Sequence, residues 1–167
     1  IRNNISHDNY NLPGAQKGQD ISNAGFLIAW GDNNQIYNNL SNNNDYGLMV
    51  WSKGKNNLIY NNTFVNNKDS GIYLEYIRGS HIFRNNIIYN NPYDIRNNSP
   101  SITHTVSNNL CTSTSSYFCQ LSGDPKFVGA GNFRLQPGSP AIDAGTTLGQ
   151  VTNDLDGKTR PIGLNYD

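Results

Sequence analysis

The stretch GIYLEYIRGSHIFRNNIIYNN, residues 71–91, contains one complete unit of the repeat that decides the fold. Its apolar residues fall in three short segments, at 71–75, 81–84 and 87–89, and each segment is bounded by Asn, Gly or Ser. Within the segments, apolar residues alternate with polar ones or are continuous, and the spacing of a helix is absent. The unit therefore predicts three short strands separated by three turns.

The same unit recurs along the chain at a nearly constant interval. Four asparagine pairs are separated by steps of 23, 24 and 23 residues: Asn38-Asn39, Asn61-Asn62, Asn85-Asn86 and Asn108-Asn109. A second pair follows three of them, at 43–44, 66–67 and 90–91, and a Gly opens the first segment at positions 25, 47 and 71. A leucine-rich repeat would need a Leu-x-x-Leu-x-Leu frame, and a propeller blade needs about twice the length. We predict an all-β parallel β-helix, a solenoid with an asparagine ladder.

The asparagine pairs have a physical reason in this fold. A tight turn between the second and third strands requires one residue in the left-handed conformation, which Asn tolerates better than other residues with a side chain. The other Asn can point inward and hydrogen-bond to its equivalents in neighbouring coils. We therefore expect Asn39, Asn62 and Asn86, or their partners in each pair, to stack at one corner.

Strand alternation assigns the core and the outward face of the first strand. The inward residues are predicted to be Phe26, Leu48, Ile72 and Ile95, with Ile28, Val50 and Leu74 two positions on. The outward residues form a predicted row of Leu27, Met49, Tyr73 and Arg96, flanked by Ala29, Trp51 and Glu75. Lys53, Lys55 and Arg78 lie in the turns that follow.

Composition and spacing set the domain organisation. Asparagine accounts for 29 of the 167 residues, charged residues are only 14%, and the net charge is zero, which argues against nucleic acid or an anionic membrane as a partner. No apolar run is long enough to span a bilayer. We expect coils over 1–110 with a loop inserted near 10–20, then a disulfide loop and irregular cover over 111–167. Because the chain begins inside a coil, we expect further coils of a parent protein before it.

The two cysteines, Cys111 and Cys119, enclose a hairpin-sized loop rich in Thr and Ser. Their spacing allows a small disulfide ring, and an even cysteine count in a chain of this composition favours one. Two buried free thiols are the alternative.

Four strings near the C-terminus resemble a known family. They are Asp124-Pro125-Lys126-Phe127-Val128, NFRL at 132–135, GSPAIDAG at 138–145 and DLDGKTRP at 154–161. They resemble the C-terminal region of secreted bacterial right-handed parallel β-helix proteins of the pectate-lyase-like superfamily, in the group named for a "choice-of-anchor" domain. The resemblance implies a secreted or cell-surface location and a polysaccharide or glycan partner, and it implies that the chain stops short of the family's usual C-terminus. Physically, the many Pro and Gly residues here forbid further coils and predict cover over the last one.

The superfamily's catalytic signatures are missing, so candidate residues come from the predicted outward face. A lyase must neutralise a uronate and remove the adjacent proton, and Tyr73, Arg96, Lys53 and Lys55 have suitable groups; Ca²⁺ is the cofactor that this chemistry leaves open. A hydrolase needs two carboxyl groups, for which Glu75 and Asp94 are candidates. Trp51, Tyr73 and Arg96 are the predicted sugar-binding residues.

Two functions therefore remain open. One is the C-terminal part of a secreted carbohydrate-active enzyme acting on or binding an acidic polysaccharide, with a lyase favoured over a hydrolase. The other is a noncatalytic glycan-binding or surface-display stalk. His7, His81 and His104 lack metal-ligand spacing and are predicted to have turn or core roles. Asp154-Leu155-Asp156-Gly157 starts like a calcium loop but lacks its later Glu, which favours a turn.

Overall fold

The computed structural model describes residues 1–9, 23–51, 53–161 and 163–166. The predicted loop insertion near 10–20 lies outside them. The described chain is a parallel β-solenoid in which three sheets run along one axis. Successive strands enter the three sheets in turn, so every coil contributes one strand to each sheet, as the 23-residue period predicts.

Sheet I holds the longest strands of the coils. Its order is β11-β8-β5-β2, and the strands are β2 (Ala24–Ile28), β5 (Tyr46–Trp51), β8 (Ser70–Glu75) and β11 (Tyr93–Asn97).

Sheets II and III are built mostly from strands of three residues. Sheet II contains β3 (Gln35–Tyr37), β6 (Leu58–Tyr60), β9 (Ile82–Arg84) and β12 (Thr105–Ser107). Sheet III contains β1 (Ile5–His7), β4 (Leu40–Asn42), β7 (Thr63–Val65), β10 (Ile87–Tyr89), β13 (Leu110–Cys111) and β14 (Leu121–Ser122). A separate antiparallel hairpin is formed by β15 (Phe127–Gly129) and β16 (Asn132–Leu135).

The core consists of inward residues stacked in register, because equivalent strands of neighbouring coils pair directly. Phe26 pairs with Leu48, Leu48 with Ile72, and Ile72 with Ile95, as predicted from the alternation. Sheets II and III add their own central residues to this core: Ile36, Ile59, Phe83, Phe64 and Ile88.

The predicted asparagine ladder lies at the corner between sheets II and III. Asn39 donates its backbone N–H and its Nδ2 to Oδ1 of Asn62, at 3.1 and 3.0 Å. Asn62 bonds in the same way to Asn86, and Asn86 to Asn109. The first member of each pair has a positive φ, between 52° and 55°. The prediction is confirmed, and each Oδ1 accepts from the coil before it.

The other two corners carry ladders as well. At the corner between sheets III and I, Asn67 donates both its N–H and its Nδ2 to Oδ1 of Asn91, whereas Asn44 donates only its N–H to Oδ1 of Asn67. At the corner between sheets I and II, the row is Asn34, Asn57, His81 and His104. This third row was not predicted, although Asn33-Asn34 and Asn56-Asn57 keep the 23-residue step, because histidine replaces asparagine in the later coils.

His81 and His104 act as substitutes for ladder amides. Nδ1 of His81 faces the backbone N–H of Asn57 at 3.3 Å, and Nδ1 of His104 accepts from the N–H of His81 at 3.0 Å. The two rings stack with centroids 5.4 Å apart, and each packs edge-on against Phe83. Burial lowers the pKa of both imidazoles to about 4. The Asp32 carboxylate partly opposes this shift in the pKa of His81, whereas the neighbouring His81 lowers the pKa of His104 further. Their predicted core role is correct, with a specific function in the ladder.

The last coil is closed by the disulfide loop. Cys111 and Cys119 are bonded, with their Cα atoms 5.6 Å apart, which confirms the predicted pairing. The loop presents Phe118, which is buried against Phe83. Oε1 of Gln120 accepts from the N–H of Asn109 at 3.2 Å, so a glutamine side chain ends the ladder.

The C-terminal region runs back along the outward sides of sheets II and III. We had expected it to cover the last coil. Ala141, Phe127 and Leu135 pack on the outward residues Ile87 and Leu110 of sheet III. Further on, a second apolar group covers the outward side of sheet II; its members are Leu148, Val151, Tyr166, Tyr37, Leu58 and Tyr60. The reason is that these outward rows are apolar and would otherwise face water.

The outer asparagines of the first ladder hold this region in place. Asn108 donates to the carbonyl of Ala144 at 2.8 Å, and Asn85 exchanges two bonds with the backbone of Thr146, at 2.7 and 2.9 Å. Asn38 donates to the carbonyl of Asn153 at 2.5 Å. In three of the four pairs, therefore, one Asn stabilises the interior and the other docks the C-terminal region.

Replacing an inner ladder residue tests this division. Asn62→Leu should lower the free energy of unfolding by about 1–3 kcal/mol for each partner that is left buried and unpaired. Asn66→Gly, the control, keeps a backbone with φ of 56° and removes an amide whose two hydrogen bonds, with Asn42 and Asn90, are exposed to water, so its stability should fall by less than that of Asn62→Leu. Urea denaturation followed by circular dichroism measures both, and equal stability of the two variants would contradict the ladder.

The histidine row predicts an acid-sensitive stability. Each imidazole binds a proton less readily when folded than at the unfolded value near 6.5, so its contribution is present above pH 6.5 and is lost as the pH falls toward 4. The loss should be at most about 3 kcal/mol for each histidine. His81→Asn restores an amide that does not titrate and should flatten the dependence of the free energy of unfolding on pH. A variant that keeps the parent's pH dependence would contradict the assignment.

Candidate functional site

The outward face of sheet I is the candidate site. The C-terminal region packs on the outward sides of sheets II and III, through the contacts given above. Among the described residues, the outward side chains of sheet I instead contact one another and the charged residues around them. This face is therefore where the fold leaves polar and aromatic groups accessible together.

The register of sheet I agrees with the predicted row. Met49 pairs with Tyr73, Tyr73 with Arg96, and Trp51 with Glu75. Two residues of the predicted outward face, Met49 and Ala29, do not have the predicted position. Met49 is buried, so it does not contribute exposed surface. Ala29 follows the end of β2 at Ile28 and is not part of the strand, because the chain has already entered the turn.

Three tyrosines and Arg96 form a stacked group on this face, which we call the tyrosine–arginine stack. The rings of Tyr46 and Tyr73 are stacked with centroids 5.0 Å apart. The guanidinium of Arg96 lies 5.2 Å from the ring of Tyr73 and 6.0 Å from the ring of Tyr93. Tyr93 is 57% exposed, and the side chain of Arg96 is 42% exposed, so the stack is open to solvent.

Carboxylates surround the stack and orient it. Nη1 of Arg96 lies 3.0 and 3.2 Å from the two carboxylate oxygens of Asp69. The hydroxyl of Tyr73 donates to Glu75, and Nδ2 of Asn98 donates to the Tyr73 hydroxyl at 2.9 Å and to Glu75 at 2.6 Å. Burial, together with the bond to Glu75, raises the pKa of Tyr73 well above its ordinary value. Tyr73 is therefore a hydrogen-bond donor at neutral pH.

The remaining predicted residues lie at the corner that follows sheet I. The ring of Trp51 is 6.2 Å from that of Tyr76, and Nζ of Lys53 is 5.5 Å from the ring centroid of Trp30. The structure thus divides the predicted set into two neighbouring groups. Tyr73, Glu75 and Arg96 belong to the stack, whereas Trp51 and Lys53 belong to the corner.

The structure does not place Asp94 where a hydrolase would need it. Its carboxylate accepts from the backbone N–H and the hydroxyl of Thr112, at 2.9 and 2.8 Å, and burial raises its pKa. Asp94 occupies the strand position that Gly47 and Gly71 hold in earlier coils. There its side chain turns toward the loop between Cys111 and Cys119, which we call the cap. The suggested pairing of Asp94 with Glu75 on the outward face is therefore wrong.

The described residues offer one group that resembles a metal site, Asp94 with Cys111 and Cys119. Its sulfur atoms are joined in the disulfide and are not thiolate ligands. The DLDG string forms a turn, as favoured from the sequence: Oδ1 of Asp154 accepts from the N–H of Lys158 at 2.8 Å, and Asp156 pairs with Arg134.

Four residues of the site were missed from the sequence: Tyr46, Asp69, Tyr93 and Asn98. Tyr46 has the same strand parity as the inward Leu48, so alternation alone places it in the core. Gly47 allows the departure, since a Cβ there would lie 2.5 Å from the carbonyl oxygen of Gly71. For Tyr46, a Tyr immediately before a glycine that recurs at the repeat interval was the available signal.

No helix among the described residues is long and apolar enough to cross a membrane.

The comparisons with known proteins support the architecture. Neither the curated proteins nor the solved structures contain a significant match to the chain. The family model described as "Right handed beta helix region" matches residues 1–132. Together with the parallel coils and their ladders, this match shows that the chain belongs to the right-handed β-helix family.

Proposed function

We propose that this β-helix protein binds a glycan chain on the outward face of sheet I. The observation that carries the proposal is the tyrosine–arginine stack of Tyr46, Tyr73, Tyr93 and Arg96, which stands on the sheet that the C-terminal region leaves open. Flat rings pack against the C–H face of a pyranose, and a Tyr keeps a polar group for the sugar's hydroxyls. Successive coils repeat such groups at the strand spacing of about 4.8 Å.

The polar groups beside the stack suit sugar hydroxyls. The carboxylates of Asp69 and Glu75 are acceptors, and the amide of Asn98 is a donor, all held by bonds within the face. These bonds preorganise the side chains, which lowers the entropy cost of binding. A ligand would then meet groups that are already oriented.

Charge on this face favours a neutral over an acidic glycan. Among the described residues, Arg96 is the cation of the stack, and Asp69 already pairs with it. Glu75 and Asp45 add further negative charge nearby, since both carboxylates raise the pKa of Tyr46. A uronate approaching Arg96 would therefore meet repulsion as well as attraction.

The candidate catalytic residues are better suited to binding a glycan than to cleaving it. A lyase base must accept a proton, whereas the raised pKa of Tyr73 keeps its hydroxyl protonated at neutral pH. Lys53 lies over Trp30 at the corner, and Asp94 is turned toward Thr112. We therefore place the glycan-binding, noncatalytic role first and the polysaccharide lyase favoured from the sequence second.

We also propose that the protein is secreted or displayed at a cell surface. The Cys111–Cys119 disulfide supports this location, since disulfides persist in oxidising compartments and are rare in the cytosol.

The test removes one exposed ring from the stack. Tyr93→Ala should weaken glycan binding roughly threefold to tenfold, because it removes one stacking contact. Arg96→Lys keeps the charge but loses the planar guanidinium, so it should also weaken binding to neutral glycans. Affinity electrophoresis against neutral and uronate polymers measures retention, and ultraviolet absorbance of unsaturated ends in the same samples measures any lyase reaction.

Tyr117→Ala is the matched control, since Tyr117 is 51% exposed and lies on the cap. Its retention should equal that of the parent. Retention of the parent by none of the polymers, or equal retention of Tyr93→Ala, would contradict glycan binding on this face. Release of unsaturated ends by the parent would instead move the lyase to first place.

A further inference from the structure

We propose that the corner between sheets I and II contains a separate subsite for an anionic sugar. We call it the aromatic corner, and it consists of Trp30, Trp51, Lys53, Lys55, Tyr76 and Arg78. The inference rests on the proposed glycan-binding function and adds a second point of contact, with the opposite charge preference, beside the tyrosine–arginine stack.

The residues of the aromatic corner come from three successive coils whose turns lie directly on one another. The N–H of Asn33 donates to the carbonyl of Lys55 at 3.1 Å, and the N–H of Asn56 donates to that of Ser80 at 2.7 Å. Gly79 permits this close stacking, since a Cβ there would lie 2.4 Å from Cβ of Lys55. Each coil therefore presents one aromatic ring at this corner.

The backbone at Tyr76 points to a role other than stability. Tyr76 has φ of 55°, in the left-handed region, and its side chain is 63% exposed. Of the described non-glycine residues with positive φ, all except Tyr76 and Lys126 are Asn or Asp. A bulky side chain in this conformation is strained, and such strain is found preferentially at functional sites. The chain uses Asn freely for left-handed turns, yet it has a tyrosine here.

The exposed aromatic rings at this corner fit the face of a sugar ring. Trp30 is 70% exposed and Tyr76 is 63% exposed, whereas the neighbouring aliphatic Ile77 is buried. The corner therefore offers flat rings with polar edges, a combination that suits both the C–H face and the hydroxyls of a sugar. A row with one ring per coil matches a glycan that runs along the solenoid axis, with one sugar per ring.

Charge separates this subsite from the stack on sheet I. Lys53, Lys55 and Arg78 are exposed, and among the described residues none of them forms a salt bridge. Two acids are nearby: Asp32 accepts from the backbone N–H of Lys55, and Glu75 accepts from Tyr73 and Asn98. The corner is therefore basic, while the stack is surrounded by carboxylates. Because Trp51 pairs with Glu75 in sheet I, the two surfaces are continuous.

Tryptophan fluorescence reports on this subsite directly, because the chain's two tryptophans, Trp30 and Trp51, both belong to it. Dextran and dextran sulfate form a matched neutral and anionic pair, and oligogalacturonate supplies carboxylates instead of sulfates. Dextran sulfate or oligogalacturonate should change the emission of the parent, and added salt should weaken the effect. Dextran should have little effect on the emission.

Two variants test the residues. Tyr76→Asn replaces the strained tyrosine with a residue that tolerates the backbone, so the melting temperature should stay the same or rise while affinity for the anionic polymer falls roughly threefold to tenfold. The double variant Lys53→Ala/Arg78→Ala should lose the salt-dependent part of binding. Lys158→Ala, which removes an exposed lysine from the C-terminal region, is the control and should bind as the parent does.

The outcomes separate this inference from the proposed function. A response to oligogalacturonate identifies a carboxylate subsite, and a response to dextran sulfate alone identifies a sulfate subsite. If dextran and dextran sulfate change the emission equally, or if the corner variants bind as the parent does while Tyr93→Ala still weakens retention, the aromatic corner is wrong and glycan binding on sheet I stands. If no glycan is retained by the parent, both proposals fail.

Discussion

The structure depends on satisfying the buried polar groups at the three corners of each coil. At every corner the backbone changes direction between two sheets, and some of its buried N–H and C=O groups cannot pair with a neighbouring strand. An inward Asn solves this, because its Oδ1 accepts two bonds from the preceding coil while its Nδ2 donates onward. The coils cannot shift along the axis without breaking these bonds, so the ladders fix the register that aligns the core and the outward rows.

The same asparagine pairs also decide which surface remains open. Left-handed residues such as Asn85 and Asn108 point away from the core and bond to the returning C-terminal region. That region covers the apolar outward sides of sheets II and III, and sheet I keeps a polar and aromatic face. The location of the candidate site therefore follows from how the pairs divide their two roles, and not from a catalytic motif.

On the open side, the two proposed binding surfaces differ in charge. The tyrosine–arginine stack combines rings with carboxylates, whereas the aromatic corner combines rings with lysine and arginine side chains. Because strands of neighbouring coils lie about 4.8 Å apart, both groups extend along the axis as rows instead of forming a pocket. A row of this kind suits a long polymer, with each coil adding a small contact.

The sequence by itself determined the period, the parallel coils, the ladder of Asn39, Asn62 and Asn86, the core stacks and the disulfide, since each follows from local spacing or chain proximity. It also placed Tyr73 beside Arg96, because strand alternation and the period are sufficient for that pairing. Only the tertiary structure decided that His81 and His104 complete a third ladder, since they interrupt the repeating Asn pairs from which a ladder is predicted. It also decided that Tyr46 turns outward at Gly47, that Asp94 turns to the cap, and that the C-terminal region leaves sheet I open. These features depend on contacts between residues far apart in the chain, which local periodicity cannot specify.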